Sequence, residues 1–119
     1  MFLLLFLFTF SVQADEGFSL TSDLKEELTW KQHASSMRYI CKTEKCDIDK
    51  LVSDEKLKAL DVPWEAGGTN PTSVLCKLLN GKPLIAYLKS LDELSVCSFE
   101  EKIYVHGWDL HARWKKLRR

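Results

Sequence analysis

The sequence has no excess of charge of either sign, because 17 Lys and Arg residues balance 17 Asp and Glu residues. Proteins that bind nucleic acid through its phosphates carry a clear positive excess, so no nucleic-acid partner is predicted. The sequence also lacks internal repeats and low-complexity tracts. Its 119 residues are 45% hydrophobic and 29% charged, which is the composition of a chain that folds around its own core.

Motifs of catalysis and cofactor binding are missing as well. The chain has no Gly-rich phosphate loop and no Ser nucleophile elbow. His106 and His111 lie five residues apart, whereas His pairs that bind zinc on a helix need i,i+4 spacing with a Glu between them. His33, His106, His111 and Asp109 could meet in the folded protein. With three His residues in the chain, such a cluster would arise by chance as readily as for a metal or acid-base site. We therefore predict no enzymatic activity, no metal and no cofactor.

Only the first residues form a long apolar run. Residues 1–10 are almost entirely Phe and Leu, and the small and polar residues 11–14 follow. A run of about ten residues is too short to cross a bilayer, which needs about 20, and the small-residue ending is typical of a signal-peptidase site. We predict that residues 1–14 are a signal peptide of a periplasmic or secreted protein; an N-terminal core helix is the alternative. No Cys follows the cut, so no lipid anchor is predicted.

Four Cys residues follow this segment. An even number of Cys in a chain that leaves the reducing cytosol favours disulfides over metal binding. Three pairings are possible. Only four residues separate Cys41 from Cys46, which favours one local bond there and one longer bond from Cys76 to Cys97. A four-Cys zinc site is the alternative, although the spacing lacks the paired C-x2-C knuckles of such sites.

Charge divides the chain after the predicted signal peptide into two parts. Residues 15–68 contain 8 basic and 12 acidic residues, whereas residues 69–119 contain 9 basic and 5 acidic residues. The boundary coincides with Pro63 and the pair Gly67-Gly68, which interrupt any helical pattern. The two parts are therefore predicted to be separate units of the fold.

The acidic part has the pattern of helices. Ser22 is a candidate N-cap, acidic residues follow it, and Leu24 and Leu28 make an i,i+4 pair, so a helix is predicted to run to about Tyr39. A second short helix is predicted to start at Ser53 and to end before residues 62–63. Residues 15–68 are thus predicted to be an acidic helical extension.

The basic part combines helix and strand signals. Asn70 is a candidate N-cap and Pro71 suits the first helical position, while residues 80–81 are typical of a helix end. Residues 83–88 and 94–99 are rich in β-compatible residues and are predicted to form a hairpin. A third strand is predicted at residues 103–105 and a closing helix at residues 108–117. The fold class is therefore predicted to be α+β.

Four motifs of the basic part share the spacing of one known family. They are Asn70-Pro71-x-Ser73-Val74-x-Cys76, Asn80-Gly81-Lys82, Cys97-x-Phe99, and Trp108 eleven residues after Cys97. On these motifs, residues 69–119 resemble a family of small bacterial domains of unknown function, whose members often carry the label hemolysin. The sequence departs from the family pattern at Leu75, Asn80, residues 101–102 and Val105, where members have Tyr, Gly, Asp-Gly and often a further Cys.

The resemblance implies a shared fold with a retained disulfide between Cys76 and Cys97, and it implies no activity. The other motif residues have structural explanations. Ser73 is expected to satisfy an amide of the first helical turn, Gly81 to supply a left-handed helix end, and Phe99 and Trp108 to fill the space between helix and hairpin. The residues given structural roles are Asn70, Pro71, Ser73, Val74, Gly81, Phe99 and Trp108.

The predicted C-terminal helix has an apolar stripe surrounded by basic residues. Such a helix can lie on an anionic membrane surface or bind another polyanion. Alternatively, the stripe docks on the hairpin and the positive charge collects where the helix dipole favours it. Both alternatives remain open from the sequence. The residues concerned are Leu110, Arg113, Trp114, Lys115, Lys116, Leu117, Arg118 and Arg119.

Together these patterns predict a periplasmic or secreted α+β module whose disulfide supports a core too small to be stable alone. Its predicted role is non-enzymatic binding or a structural role in the cell envelope, with an envelope protein or a glycan as partner. The alternative is a membrane-active protein that acts through the basic aromatic helix at its C-terminus.

Overall fold

A computed structural model describes residues 17–62 and 70–118. Its centre is a six-stranded antiparallel sheet with the strand order β1-β4-β5-β6-β3-β2, accompanied by four helices. The α+β class predicted from the sequence is confirmed. The strands are β1 (Phe18–Ser19), β2 (Lys31–Gln32), β3 (Arg38–Cys41), β4 (Lys82–Leu88), β5 (Glu93–Phe99) and β6 (Ile103–His106); the helices are α1 (Ile48–Leu51), α2 (Asp54–Lys58), α3 (Pro71–Leu78) and α4 (Gly107–Leu117).

The predicted signal peptide at residues 1–14 lies outside the described residues, as does the predicted boundary around Pro63 and Gly67-Gly68. On both sides of that boundary the chain contributes to the same sheet. Strands β1, β2 and β3 come from the acidic part, and β4, β5 and β6 come from the basic part. The acidic part is therefore not a purely helical extension, because three of its segments are strands paired with the rest of the chain.

The helix predicted from Ser22 to about Tyr39 is wrong. Leu24 has a φ of 57°, in the left-handed region that an α-helix does not use, and Leu28 forms an isolated bridge with Phe18. The chain then turns between β2 and β3, where the His33 amide donates to the Met37 carbonyl at 2.9 Å. Tertiary pairing thus overrides the helical spacing of the apolar residues.

The second predicted helix is present and shorter than expected. Ser53 is its N-cap and its hydroxyl accepts from the Lys56 amide at 3.1 Å, but the helix ends at Lys58 rather than just before residue 62. Helix α1 was not predicted. It is a single turn in which the Asp47 carboxylate accepts from the Lys50 amide at 3.3 Å.

The elements predicted for the basic part are all present. Asn70 caps α3 by accepting a hydrogen bond from the Thr72 amide at 2.9 Å, and Pro71 is the first helical residue. The hairpin β4–β5 pairs Lys82 with Ser98 at one end and Tyr87 with Glu93 at the other. Strand β6 then continues directly into α4.

Period-two alternation along the central strands produces a core on each face of the sheet. In β6, Ile103 and Val105 belong to the larger cluster, whereas Tyr104 between them belongs to the smaller one. The larger cluster is covered by residues of α1, α2, α3 and α4. The smaller cluster is covered by the N-terminal segment, where the rings of Phe18 and Trp30 stack at 4.4 Å.

Both disulfides have the predicted pairing. Cys41 at the end of β3 is bonded to Cys46 before α1, with their Cα atoms 6.0 Å apart. Cys76 on α3 is bonded to Cys97 on β5, with a Cα separation of 5.5 Å, and both residues of this pair are 1% exposed. The second bond therefore crosses the core between a helix and the sheet.

The end of α3 differs from the prediction in one respect. Asn80, with a φ of 66°, is the residue in the left-handed region, and no positive φ is found at Gly81. The Gly81 amide donates to the Cys76 carbonyl at 2.9 Å, which completes a Schellman-type helix end. Gly81 is required for a different reason: a Cβ there would lie 2.9 Å from Cys76 Sγ and closer still to Cys97 Sγ.

Candidate functional site

Helix α4 begins where β6 ends, and two contacts fix this junction. His106 is the N-cap, since its Nδ1 atom accepts a hydrogen bond from the Asp109 amide at 3.3 Å. A Cβ at Gly107 would lie 2.8 Å from both the carbonyl oxygen and the Oγ atom of Ser95. The start of α4 is therefore pressed against β5, with no space for a side chain at position 107.

The apolar stripe of α4 is packed inside the protein. Leu110 is 0% exposed, and Trp114 and Leu117 pack against the larger core cluster. The Trp114 indole Nε1 donates to the Leu60 carbonyl at 3.1 Å, which satisfies its polar atom at the edge of the core. The stripe therefore packs against a cluster formed by the other helices as well as by β5 and β6, and not against the hairpin alone.

The basic residues of α4 divide into paired and unpaired groups. Arg113 donates from Nε and Nη2 to the two carboxylate oxygens of Asp54, at 3.0 and 2.6 Å. Arg118 pairs with Asp61 at 2.9 Å and lies over the Trp114 ring, 5.1 Å from its centroid. The remaining described basic residues, Lys115 and Lys116, are exposed and form no ion pair within the described part of the chain; Arg119 lies outside it.

The Arg113–Asp54 pair shifts the pKa of both groups. The hydrogen bond to Asp54 raises the pKa of Arg113, and the same hydrogen bond holds the pKa of Asp54 below its usual range. Both groups remain in contact with water, so the pair adds little to stability by itself. Its effect is to fix Arg113 on the side of α4 that faces α2.

Three rings form a row along the outside of α4. The ring centroids of Trp108 and His111 are 5.7 Å apart, and those of His111 and Trp114 are 5.6 Å apart. Burial, followed by the charge of Lys115, lowers the pKa of His111. Trp108 does not fill the space between helix and hairpin as predicted, because it is 48% exposed. The row therefore has one end at Trp114, which packs against the core, and the other end at the solvent-exposed indole of Trp108.

The remaining family-motif residues lie around α3 and the neighbouring strand. Phe99 is buried as predicted, and Val74 packs against the larger core cluster. The hydroxyl that supports the first turn of α3 belongs to Thr72 and not to Ser73: Thr72 Oγ1 donates to Asn70 Oδ1 at 2.7 Å. Thr72 Oγ1 also lies 2.5 Å from Ser95 Oγ, in a buried contact between α3 and β5.

An ion pair joins β3 to the first turn of α4. Arg38 donates from Nε and Nη2 to the Asp109 carboxylate at 2.6 and 2.8 Å, and its backbone amide donates to the same group at 3.0 Å. Burial favours the neutral acid, but these hydrogen bonds and the nearby His106 outweigh it and lower the pKa of Asp109. Asp109 is thus an ionised link between two elements.

The three His residues do not form one cluster. His106 lies 5.2 Å from the Trp30 ring and caps α4, and His111 lies between Trp108 and Trp114. Across residues 17–62 and 70–118, no three or more His, Cys, Asp and Glu side chains are placed as metal ligands. The third histidine, His33, makes contacts that the sequence does not predict.

His33 lies between a hydroxyl and a carboxylate. Its Nδ1 atom is 2.7 Å from Ser35 Oγ, and its Nε2 atom is 2.9 Å from Asp49 Oδ1. Ser35 follows His33 by two residues in the turn between β2 and β3, whereas Asp49 lies 16 residues away on α1. The spacing of His33 and Ser35 matches no common motif, and only the folded hairpin brings Asp49 to the ring.

Cavities border this cluster and the first disulfide. A cavity of about 430 Å³ is lined by Ser35, His33, Asp49 and Arg113, among others, and a cavity of about 280 Å³ is also lined by Ser35 and Arg113. A third cavity of about 520 Å³ lies beside Cys46, between the loop that follows β3 and the β5–β6 turn. All three are open to solvent, so a ligand would reach them without a conformational change.

Comparison with family models, with curated proteins and with solved structures finds no match to this chain. Within the described residues, no helix has the length and apolar character needed to cross a membrane.

Proposed function

We propose that the protein is a periplasmic or secreted binding module, stabilised by its two disulfides, whose binding surface is the outer face of α4. The exposed indole of Trp108 is the observation that carries this proposal. We propose a binding role and no catalytic role for this surface, with an envelope protein or a glycan as partner.

The location is inferred from two features. Disulfides persist in oxidising compartments, and the chain contains two of them and no free cysteine among the described residues. Residues 1–14 have the pattern of a signal peptide. Removal of this segment during export would leave the disulfide-bonded module in the envelope or the medium.

The chemistry of the α4 surface supports binding. Large exposed aromatic residues are enriched where proteins meet partners, since an indole buries much area and loses little conformational entropy. Trp108 is held on its inner side by His111, so its ring is positioned before a partner arrives. Lys115 and Lys116, exposed on the same helix, add positive charge that favours an acidic protein or an anionic glycan.

Membrane contact is the second candidate, because an exposed Trp beside Lys residues also suits an anionic lipid surface. The stripe expected to enter the bilayer is not available in this structure, since Leu110 is 0% exposed and Trp114 is hydrogen-bonded to Leu60. Among the described aromatic and basic residues of α4, Trp108, Lys115 and Lys116 are the exposed ones. The label hemolysin, which members of the resembled family often carry, corresponds to this second candidate.

The test measures co-sedimentation of the oxidised protein with neutral vesicles, with anionic vesicles and with envelope glycan, at low and high salt, together with dye leakage. Trp108→Ala and Lys115→Ala/Lys116→Ala remove the proposed surface. Leu91→Ala and Lys77→Ala/Lys82→Ala are matched controls, because they remove an exposed apolar side chain and two exposed charges elsewhere.

Glycan binding that weakens about tenfold or more in the α4 variants only, without leakage, would support the binding proposal. Leakage from anionic vesicles that needs Trp108 and disappears at high salt would favour the membrane-active candidate. Equal binding by the α4 variants and the controls would exclude this surface in either role.

A further inference from the structure

We propose that Ser35, His33 and Asp49 form a catalytic site that hydrolyses carboxylic esters of small acyl groups. Ser35 is the nucleophile, His33 is the general base, and Asp49 orients the His33 ring. The nucleophile, base and carboxylate of this site lie on the β2–β3 turn and α1, and although the site shares Lys116 with the outer face of α4, it does not rest on the binding proposed there. The two hydrogen bonds of the His33 ring, at 2.7 and 2.9 Å, are the observation that carries it.

The hydrogen-bond partners of His33 assign the tautomer of its ring. Asp49 is an acceptor, so Nε2 carries the proton and donates to it. Nδ1 is then an acceptor with a single lone pair, which the Ser35 hydroxyl at 2.7 Å and the Ser35 amide at 3.1 Å share as a bifurcated hydrogen bond. The Ser35 hydroxyl therefore donates to Nδ1, which is the arrangement in which an imidazole can remove a proton from a serine.

The two ring nitrogens have exchanged roles relative to the familiar serine hydrolase triad. In that triad Nε2 faces the serine and Nδ1 faces the carboxylate. The chemical requirement is the same in both arrangements: the nucleophile is hydrogen-bonded to a base, and a third group orients that base. The carboxylate of Asp49 also stabilises the positive charge that the ring gains when Nδ1 is protonated.

The turn holds the nucleophile in place. The His33 amide donates to the Met37 carbonyl at 2.9 Å, and the Ser36 amide donates to the His33 carbonyl at 2.9 Å. Ser36 has a φ of 73°, a left-handed conformation that is unfavourable for serine and that sharpens the turn. The His33 side chain is 18% exposed and its ring meets Tyr39 edge-on at 6.3 Å, which restricts the imidazole, whereas the Asp49 side chain is 70% exposed.

Space and positive charge are available next to Ser35. The two cavities of about 430 and 280 Å³ that Ser35 lines are large enough for a small acyl group and its leaving alcohol. Arg113 lines both cavities, and Lys116 lines the smaller one. Asp54 occupies Nε and Nη2 of Arg113, which leaves Nη1 and the Lys116 ammonium to stabilise a developing oxyanion.

The reaction balances with water as the only second reactant. Ser35 Oγ attacks the ester carbonyl carbon while its proton passes to His33 Nδ1. The bond from that carbon to the leaving oxygen breaks, and the alcohol departs with the proton from Nδ1. Water then attacks the acyl-serine and gives a proton to Nδ1, after which Ser35 Oγ leaves, regains this proton and releases the carboxylic acid.

The test combines covalent labelling with turnover. The oxidised protein is incubated with a fluorophosphonate probe, and the adduct is located by peptide mass spectrometry; hydrolysis of p-nitrophenyl acetate is followed in parallel. We expect one adduct per chain, on Ser35. Labelling and hydrolysis should disappear in Ser35→Ala, which keeps the amide hydrogen bond to Nδ1 and so preserves the turn.

Four further variants separate chemistry from folding. His33→Ala should slow labelling at least about 100-fold, the lower range for loss of a general base. Asp49 is a positioning residue, so Asp49→Asn should slow labelling and Asp49→Glu should restore part of the rate. Ser22→Ala, the matched control, removes an exposed serine hydroxyl away from both cavities, so it should label as the native protein does.

Thermal unfolding midpoints establish that each variant is folded. The proposal is overturned if the folded native protein takes up no probe, if the adduct maps to another residue, or if Ser35→Ala hydrolyses the ester at the native rate. Equal labelling of the Asp49→Asn and native proteins would remove Asp49 from the relay. Vesicle and glycan binding by Ser35→Ala should remain unchanged, which distinguishes failure at this site from failure of the α4 proposal.

Discussion

Gly81 lies directly against the sulfur atom of Cys97, at the point where α3 ends and the chain turns back into the sheet. A Cβ at this position would overlap both sulfur atoms of the buried disulfide and would lie 3.0 Å from Phe99 Cε1. Because none of these neighbours is the far end of a flexible side chain, even the smallest added group has to displace the core.

This contact predicts opposite results at adjacent positions. Gly81→Ala should lower the free energy of unfolding by about 2 kcal/mol or more, in the range of overpacked cores. Asn80→Gly should leave stability unchanged or raise it by up to about 1 kcal/mol, because Asn80 has a φ of 66°. Urea unfolding of both oxidised variants measures the difference, and an unaffected Gly81→Ala would contradict the close packing.

The two disulfides should differ in their resistance to reduction. Cys76 and Cys97 are 1% exposed, whereas Cys41 and Cys46 are partly accessible on a surface loop. Graded dithiothreitol followed by alkylation and mass spectrometry should detect the loss of Cys41–Cys46 first. Replacement of the buried pair by Ala should cost about 3 kcal/mol and replacement of the loop pair about 2 kcal/mol, from the chain entropy of their loops. Simultaneous reduction would argue against this order.

The Arg38–Asp109 link predicts a pH dependence. Because the folded protein lowers the pKa of Asp109, the ionised carboxylate contributes stability above its unfolded pKa of about 4, and this contribution disappears as the pH falls through the lower folded value. Asp109→Asn should therefore cost about 1 to 3 kcal/mol at pH 7. The difference from the native protein should shrink below about pH 4, as measured by urea unfolding at each pH; a difference independent of pH would contradict the ionised link.

Two tryptophans on α4 should respond differently to the same substitution. Trp114→Phe removes the hydrogen bond to the Leu60 carbonyl and should cost about 1 kcal/mol. Trp108→Phe changes an exposed ring and should alter stability by less than about 0.5 kcal/mol. Thermal unfolding of the pair provides the measurement. A larger effect at Trp108 would mean that this ring packs inside the protein.

The basic part of the chain was predictable because its signals are local. Asn70 and Pro71 mark the start of α3 within two residues, and each strand of the β4–β5 hairpin is bounded by turn residues nearby. The sequence did not predict that Asn80 has the positive φ and that Gly81 is required by its contact with the disulfide. The requirement for glycine at position 81 depends on where Cys97 lies after the sheet has formed.

The helix predicted in the acidic part was wrong for the opposite reason, because contacts with distant residues decide its structure. Leu28 fits a helix with Leu24 and equally fits a strand with Trp30, and distant partners decide between them: Phe18 pairs with Leu28, and Trp30 contacts His106. The candidate sites also depend on contacts between residues that are distant in the sequence. Trp108 was singled out for its spacing but assigned to the interior, and the meeting of His33 with Asp49 depends on a hairpin that the sequence did not predict.

The strand order has a consequence for how the molecule assembles. Strands β4, β5 and β6 are neighbours both in sequence and in the sheet, so they can pair early by closing short loops. Strands β1, β3 and β2 are translated first, yet they attach at the two sides of that hairpin unit. Strands β1 and β3 can therefore complete their pairing only after β4 and β6 have been synthesised, so the full sheet is expected to form late in folding.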